Sequence, residues 1–148
     1  RSLVGSEMCI RDRKYPTIEP YKTEWKVFDS KSSVAGTIDM VYKKPNGELF
    51  IFDWKRTTKL VNDIGTIIKS DFEYGYDELE NLSNNSYNKY CLQQNLYKYI
   101  LEDNYGEKVS SMNILVLHPR YHTYFHLQVP NLIKETEFLI RKAREKSI

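Results

Sequence analysis

The sequence predicts an α/β fold, in which a central mixed β-sheet is flanked by helices. Three segments before residue 56 have the apolar alternation and β-branched content of strands. After residue 86 the pattern changes to helix, strand, strand and helix. A β-meander followed by an α-β-β-α order is typical of a domain whose helices pack on one sheet.

The meander is predicted from residues 23–28 (TEWKVF), 34–43 (VAGTIDMVYK) and 49–55 (LFIFDWK). Asn46 and Gly47 separate the last two segments, and Asn-Gly favours a two-residue hairpin turn because both positions tolerate positive φ. The second and third strands are therefore predicted to pair in antiparallel fashion.

Residues 56–86 are polar and predict a long insertion. Five acidic residues lie between Asp71 and Glu80, and we interpret them as solvated surface. Insertions of this length are usually functional or mobile.

The second half begins with a predicted helix at residues 87–102, with Ser86 as its N-cap. Residues 112–117 (MNILVL) predict a buried strand and residues 121–129 an alternating one. A last helix is expected at residues 132–146, where an apolar stripe recurs at helical spacing. The four basic residues near its C-terminal end should remain solvated and complement the helix dipole: Arg141, Lys142, Arg144 and Lys146.

Residues 1–13 are expected to be a non-native tail. The peptide LVGSEMCIRD within residues 2–13 resembles the translation of an adapter used to prepare sequencing libraries. We therefore expect one domain over residues 14–148, truncated at its N-terminal side, with the insertion at residues 56–86.

Composition narrows the possible functions. The net charge of +2 does not by itself indicate a nucleic-acid binder, and no apolar run approaches the ~20 residues of a membrane helix. Without the tail, Cys91 is the only cysteine, which excludes a cysteine-built metal site or iron–sulfur cluster. We expect an intracellular protein that does not bind membranes. A viral protein that acts inside a host cell is compatible with this expectation.

An acid and a lysine end the third predicted strand. Asp53 and Lys55 are two positions apart and share a face of the sheet. A turn centred on Asn46 and Gly47 pairs residues whose numbers add to about 93, which places Asp39 opposite Trp54 and beside Asp53. A one-residue shift in register would bring both carboxylates to one face. Two adjacent carboxylates repel unless a cation joins them, and oxygen ligands suit Mg²⁺ or Mn²⁺.

The predicted helix carries Gln93 and Tyr97 four residues apart, so their side chains project together. On its own this pair is more typical of a surface. Its position after Gly-x-x-Asp and Asp-x-Lys makes it a candidate for the same site.

The series Gly36-Thr37-Ile38-Asp39, Asp53-Trp54-Lys55 and Gln93-x-x-x-Tyr97 resembles the motifs of the PD-(D/E)XK nuclease superfamily, in its RecB-like and lambda-exonuclease-like branch. The resemblance covers about residues 19–129. The sequence around these motifs is also similar to uncharacterised nuclease-like proteins of large DNA viruses. It implies a restriction-endonuclease-like core.

In that resemblance Asp39 and Asp53 are Mg²⁺ ligands and Lys55 is the catalytic lysine. Gln93 and Tyr97 contact the site and DNA, and Glu24 corresponds to an additional acid, for which a surface glutamate is an equal alternative.

Other residues give weaker signals. Arg56 and Lys59 are candidate DNA-phosphate contacts, as are Lys89, Lys98 and Arg120. Three histidines could suggest a metal, although polar positions on a half-exposed strand are the favoured interpretation: His118, His122 and His126.

The expected function is a Mg²⁺-dependent deoxyribonuclease acting in replication, recombination or repair, with DNA as its partner. Two alternatives remain: a catalytically silent nucleic-acid-binding domain and an RNA-cleaving member of the fold. Attack from ends or internally, strandedness, polarity and oligomeric state are left open by the sequence.

Overall fold

The computed structural model describes residues 17–68 and 86–147. The predicted tail at residues 1–13 and the acidic run from Asp71 to Glu80 lie outside the described residues. In chain order, the elements are β1 (Glu19–Phe28), β2 (Ala35–Lys43), β3 (Leu49–Lys55), α1 (Ser86–Asn104), β4 (Val109–Val116), β5 (Phe125–Gln128) and α2 (Ile133–Lys146).

The five described strands form one mixed sheet in the order β1-β2-β3-β4-β5. Strands β3 and β4 are parallel, whereas the other neighbours are antiparallel. Parallel neighbours need a crossover connection, and α1 lies within the segment that joins β3 to β4. Together with α2, which packs against α1, this confirms the predicted α/β class.

The hairpin between β2 and β3 has a three-residue loop. The Gly47 N–H donates to Lys44 O at 2.9 Å, the Lys44 N–H donates to Glu48 O at 2.8 Å, and Gly47 has φ of 92°. A turn followed by a left-handed glycine adds one residue relative to a two-residue turn. Paired residue numbers therefore add to 92, as for Met40 and Phe52.

This register corrects the predicted alignment of Asp39. The expected two-residue turn placed Asp39 opposite Trp54, which is wrong by one residue. Continued past Met40 and Phe52, the observed register places Asp39 opposite Asp53. Directly opposed residues share a face of an antiparallel sheet, so the loop brings both carboxylates to one side.

Burial shows which side that is. Leu49 and Ile51 belong to the main core cluster, which they share with Ile100 and Leu101 of α1. Phe52 belongs to a second cluster on the opposite face of the sheet. Alternation along β3 then directs Asp53 and Lys55 to the face covered by α1. Each fully buried Ile or Leu contributes roughly 1.5–3 kcal/mol.

The boundaries of β4 and β5 differ from those predicted. Strand β4 begins at Val109 and includes buried Ser111, whose hydroxyl accepts a hydrogen bond from Asn113 Nδ2 at 3.0 Å. Strand β5 begins only at Phe125. Tyr121 instead belongs to a turn, in which its N–H donates to His118 O and its hydroxyl to Val61 O.

Arg144 near the end of α2 is not the solvated residue that was predicted. Its guanidinium forms an ion pair with Asp29, which is fully buried between β1 and β2. Burying a carboxylate is costly unless it is paired, and Arg144 supplies that partner from the far end of the chain.

None of the helices within residues 17–68 and 86–147 is both long and apolar enough to cross a membrane.

Candidate active site

Asp39, in the middle of β2, and Asp53, near the end of β3, lie in contact next to the last described pair of these two strands. Asp53 is only 4% exposed, and Asp39 is half-buried. Asp39 Oδ2 also accepts a hydrogen bond from the Trp54 N–H at 3.1 Å, which holds its carboxylate against β3. Burial, reinforced by the contact with Asp39, raises the pKa of Asp53 to about 7, although Lys55 acts in the opposite direction. A second negative charge beside Asp39 is therefore costly in this poorly solvated position, and a bound cation would offset that cost.

Lys55 provides the cation next to this pair. Its Nζ lies 2.7 Å from Asp53 Oδ2 and donates to Gln93 Oε1 at 3.3 Å. The ammonium also lies 4.2 Å from the centre of the Tyr90 ring. Among the residues that the structure describes, Asp53 Oδ2 has this charge contact but no well-aligned hydrogen-bond donor. Lys55 is thus held by three groups, while the carboxylate that it approaches keeps coordinating capacity.

Tyr97 packs against the backbone of β2 near the aspartates. A Cβ atom at Gly36 would overlap the Tyr97 ring, so the absence of a side chain at Gly36 permits this approach. Burial raises the pKa of Tyr97, as do the charges of Asp53 and Asp39, whereas a backbone hydrogen bond at Thr37 lowers it. The glycine of Gly-x-x-Asp and the tyrosine of Gln-x-x-x-Tyr therefore fit each other directly.

Glu24 lies next to this cluster in the sheet, because the register of β1 and β2 on either side of it sets it opposite Asp39. It is exposed on β1, between the paired residues Thr23 and Trp25. In the described part of the chain, no three His, Cys, Asp or Glu side chains converge as a metal-binding group. Glu24 has φ of 46°, a left-handed conformation that costs a non-glycine residue roughly 1–2 kcal/mol. The unusual feature of Glu24 is thus its left-handed backbone conformation.

The predicted phosphate contacts separate into two sets. Arg56 and Lys59 are exposed, and Arg56 lines a cleft that also includes the Trp54 side chain, on the other face of β3 from Lys55. Lys89 lines a recess of about 310 Å³ together with Gln93 and Tyr97.

Two of the predicted cations already have partners. Lys98 donates to Asn131 Oδ1 at 2.7 Å, and Arg120 pairs with Asp63 at 2.8 Å. Of the histidines, His118 Nδ1 accepts the Arg120 N–H, His126 Nε2 lies 2.7 Å from Asn113 Oδ1, and His122 is exposed.

Sequence reasoning missed Tyr90 and the Trp54 N–H. Tyr90 precedes Gln93 by three residues and Tyr97 by seven, so all three share one helical face. Helical spacing could have identified Tyr90. The Trp54 N–H could not be anticipated, because any residue except proline supplies that donor.

No protein-family model matches this chain, and none of the curated proteins matches it either. The resemblance to the PD-(D/E)XK superfamily therefore stays a prediction that depends on the motifs and their geometry.

The arrangement has three chemical capacities. Two carboxylates in contact can share a divalent cation, since hard oxygen ligands are what Mg²⁺ and Mn²⁺ bind. The lysine can stabilise negative charge that develops next to the cation. Gln93 and Lys89 add polar groups that a charged substrate can contact to a recess that is otherwise lined by Tyr97 and apolar residues.

Proposed function

We propose that this protein is a Mg²⁺-dependent (or Mn²⁺-dependent) DNA nuclease that hydrolyses phosphodiester bonds. One observation carries the proposal: Asp39 and Asp53 are in contact, and Lys55 Nζ lies 2.7 Å from the second carboxylate. Strands β2 and β3 do not need these three charged groups in order to fold. Their convergence is better explained by a reaction that requires a cation.

The donor set fits a magnesium ion. Asp39 and Asp53 would be its protein ligands, and Mg²⁺ commonly takes only one or two carboxylates from a protein and keeps several waters. The contact between the two carboxylates supports this assignment. When bound, the ion would polarise the phosphodiester and lower the pKa of an attacking water.

Lys55 would stabilise the negative charge that builds up on the phosphate during attack. Its position supports this role, because Gln93 and the Tyr90 ring hold the ammonium in place next to the carboxylates. A preorganised cation in a poorly solvated site acts more strongly than one in water, and it needs no reorganisation during the reaction.

The α1 side of the site would guide the DNA backbone. Gln93 bridges to Lys55, and Tyr97 narrows the approach beside Gly36. Lys89, exposed in the same recess, is placed to contact a neighbouring phosphate. The predicted motifs thus contribute to one surface rather than to separate features.

Cleavage of labelled linear DNA, circular DNA and RNA in Mg²⁺ or EDTA tests the proposal. We expect Mg²⁺-dependent cleavage of DNA that Asp53→Asn abolishes while circular dichroism stays unchanged. Asp63→Asn is the matched control, since Asp63 is exposed and pairs with Arg120. Equal cleavage by Asp53→Asn would contradict the proposal. Binding without cleavage would indicate the silent domain, and preference for RNA would indicate a ribonuclease.

A further inference from the structure

A second cleft lies beyond the carboxyl ends of the parallel strands β3 and β4. Its volume is about 410 Å³, within the range of about 300–1,000 Å³ that holds a small ligand. The Leu117 N–H donates to Lys55 O at 2.9 Å, which joins one wall of the cleft to the backbone of Lys55. The cleft therefore lies across the end of β3 from the candidate active site, on the opposite face of the sheet, and the two are joined through the backbone of this strand.

The walls combine aromatic rings with cationic or proton-donating groups. Trp54 and Tyr124 pack against the second core cluster and are only partly buried. Arg56 and His122, both exposed, line the same cleft, and none of the nine described residues that line it is acidic. This chemistry suits a ligand with a flat aromatic face and a negative charge.

His118 adds a donor to these walls. Its Nδ1 accepts the Arg120 N–H at 3.1 Å, so in the neutral ring the proton is on Nε2. Histidine and arginine together can contact a phosphate or the polar edge of a base.

We propose that this cleft binds one unpaired nucleotide of a DNA strand, with its base against Trp54 or Tyr124 and its phosphate on Arg56. Base stacking on aromatic side chains and backbone contacts from cations are how proteins hold single strands without reading sequence. A paired base is stacked within its duplex and cannot offer its face to such a wall. The cleft therefore selects single-stranded DNA or a frayed end.

Trp54 links the cleft to the active site. Its backbone N–H holds Asp39 at 3.1 Å, while its indole lines the cleft. The inference rests on the proposed function in one respect, which is that the strand entering the cleft is the one presented to the aspartates. Binding in the cleft itself needs neither metal nor cleavage.

Trp54 fluorescence in EDTA tests the cleft directly. Trp25 is the other tryptophan and packs edge-to-face on Tyr105 at 5.6 Å, so Trp25→Phe leaves Trp54 as the only reporter. We expect quenching by an oligothymidine and none by a blunt duplex of the same length. If Trp25→Phe does not fold, the unsubstituted protein titrated with the same oligonucleotides gives the same comparison.

Two substitutions assign the contacts. Tyr124→Leu should weaken binding of the oligothymidine about 10-fold or more. Arg56→Gln should also reduce the slope of log affinity against log salt by roughly 0.7, the value for one phosphate contact on a single strand. Arg120→Gln removes another exposed cation, which pairs with Asp63 and does not line the cleft, and it should leave the slope unchanged.

The outcomes separate this inference from the nuclease proposal. Quenching without any cleavage in Mg²⁺ would support nucleotide binding in the cleft and contradict the proposal of a nuclease. Cleavage without quenching, equal quenching by the duplex, or equal effects of Arg56→Gln and Arg120→Gln would overturn the cleft assignment. Tighter binding of an RNA oligonucleotide would overturn its assignment to DNA.

Discussion

Replacing Arg144 by methionine would leave the buried carboxylate of Asp29 without its cationic partner. Arg144 Nη2 lies 2.8 Å from Asp29 Oδ1, and Arg144 Nε lies 3.1 Å from Asp29 Oδ2, so the guanidinium binds both carboxylate oxygens. Asp29 is fully buried. Arg144→Met keeps most of the aliphatic volume while it removes the charge, so the effect reports on the ion pair with buried Asp29 together with the more exposed pair with Asp103.

The expected loss is large because only one partner is removed. Breaking a buried ion pair in this way costs about 3–5 kcal/mol. Ser32 Oγ and Asn104 Nδ2 still donate to Asp29, at 2.6 and 3.0 Å, which favours the lower end of that range. A loss of about 3 kcal/mol corresponds to a fall in Tm of roughly 6–12 °C for a domain of this size.

The pH dependence gives a second readout. The hydrogen bonds from Arg144, together with those from Ser32 and Asn104, hold the pKa of Asp29 well below its usual range. A lowered folded-state pKa contributes stability that is fully present above the unfolded value of about 4 and is lost as the pH falls. The difference in unfolding free energy between the wild type and Arg144→Met should therefore be largest near pH 7 and should shrink below pH 4.

Urea unfolding followed by circular dichroism at pH 7 and pH 3 measures both effects. Lys146→Met is the matched control, because Lys146 is an exposed cation in the same last turn of α2. We expect it to change the unfolding free energy by less than about 0.5 kcal/mol. Equal losses in the two variants, or a gap that stays constant down to pH 3, would refute this reasoning.

The remaining predictions concern the candidate site. Lys55→Met should lower the rate of DNA cleavage about 10²-fold or more, because it removes the fixed cation beside the reacting phosphate; single-turnover kinetics measure this, and an unchanged rate would exclude Lys55 from the reaction. Gly36→Ala should cost about 1–3 kcal/mol by forcing its Cβ against the Tyr97 ring. Urea unfolding of Gly36→Ala in the wild-type and Tyr97→Leu backgrounds checks that cause, since the cost should largely disappear without the ring, and an equal cost in both would contradict it.

Local periodicity predicted much of the site. Alternation through residues 49–55 correctly placed Asp53 and Lys55 on one face, because Ile51 and Phe52 bury on opposite sides of β3. Helical spacing correctly placed Gln93 and Tyr97 on one face of α1, where both reach the ends of β2 and β3. These are properties of one segment at a time, and the sequence of that segment determines them.

Features that depend on backbone geometry or on distant partners were not predictable in this way. One additional loop residue at Gly47 decides whether Asp39 faces Asp53 or Trp54, and Asn-Gly is compatible with both loop lengths. The partner of Asp29 lies 115 residues away in Arg144. No local pattern indicates which cation will reach a buried acid over that separation.

Isothermal titration calorimetry of Mn²⁺ binding to the wild type and its variants tests the shared carboxylate site most directly. We predict one ion per chain for the wild type and for Asp63→Asn, and strongly weakened binding for Asp39→Asn and for Asp53→Asn. Undiminished binding in either of those two variants, or no binding by the wild type, would contradict a cation held jointly by Asp39 and Asp53.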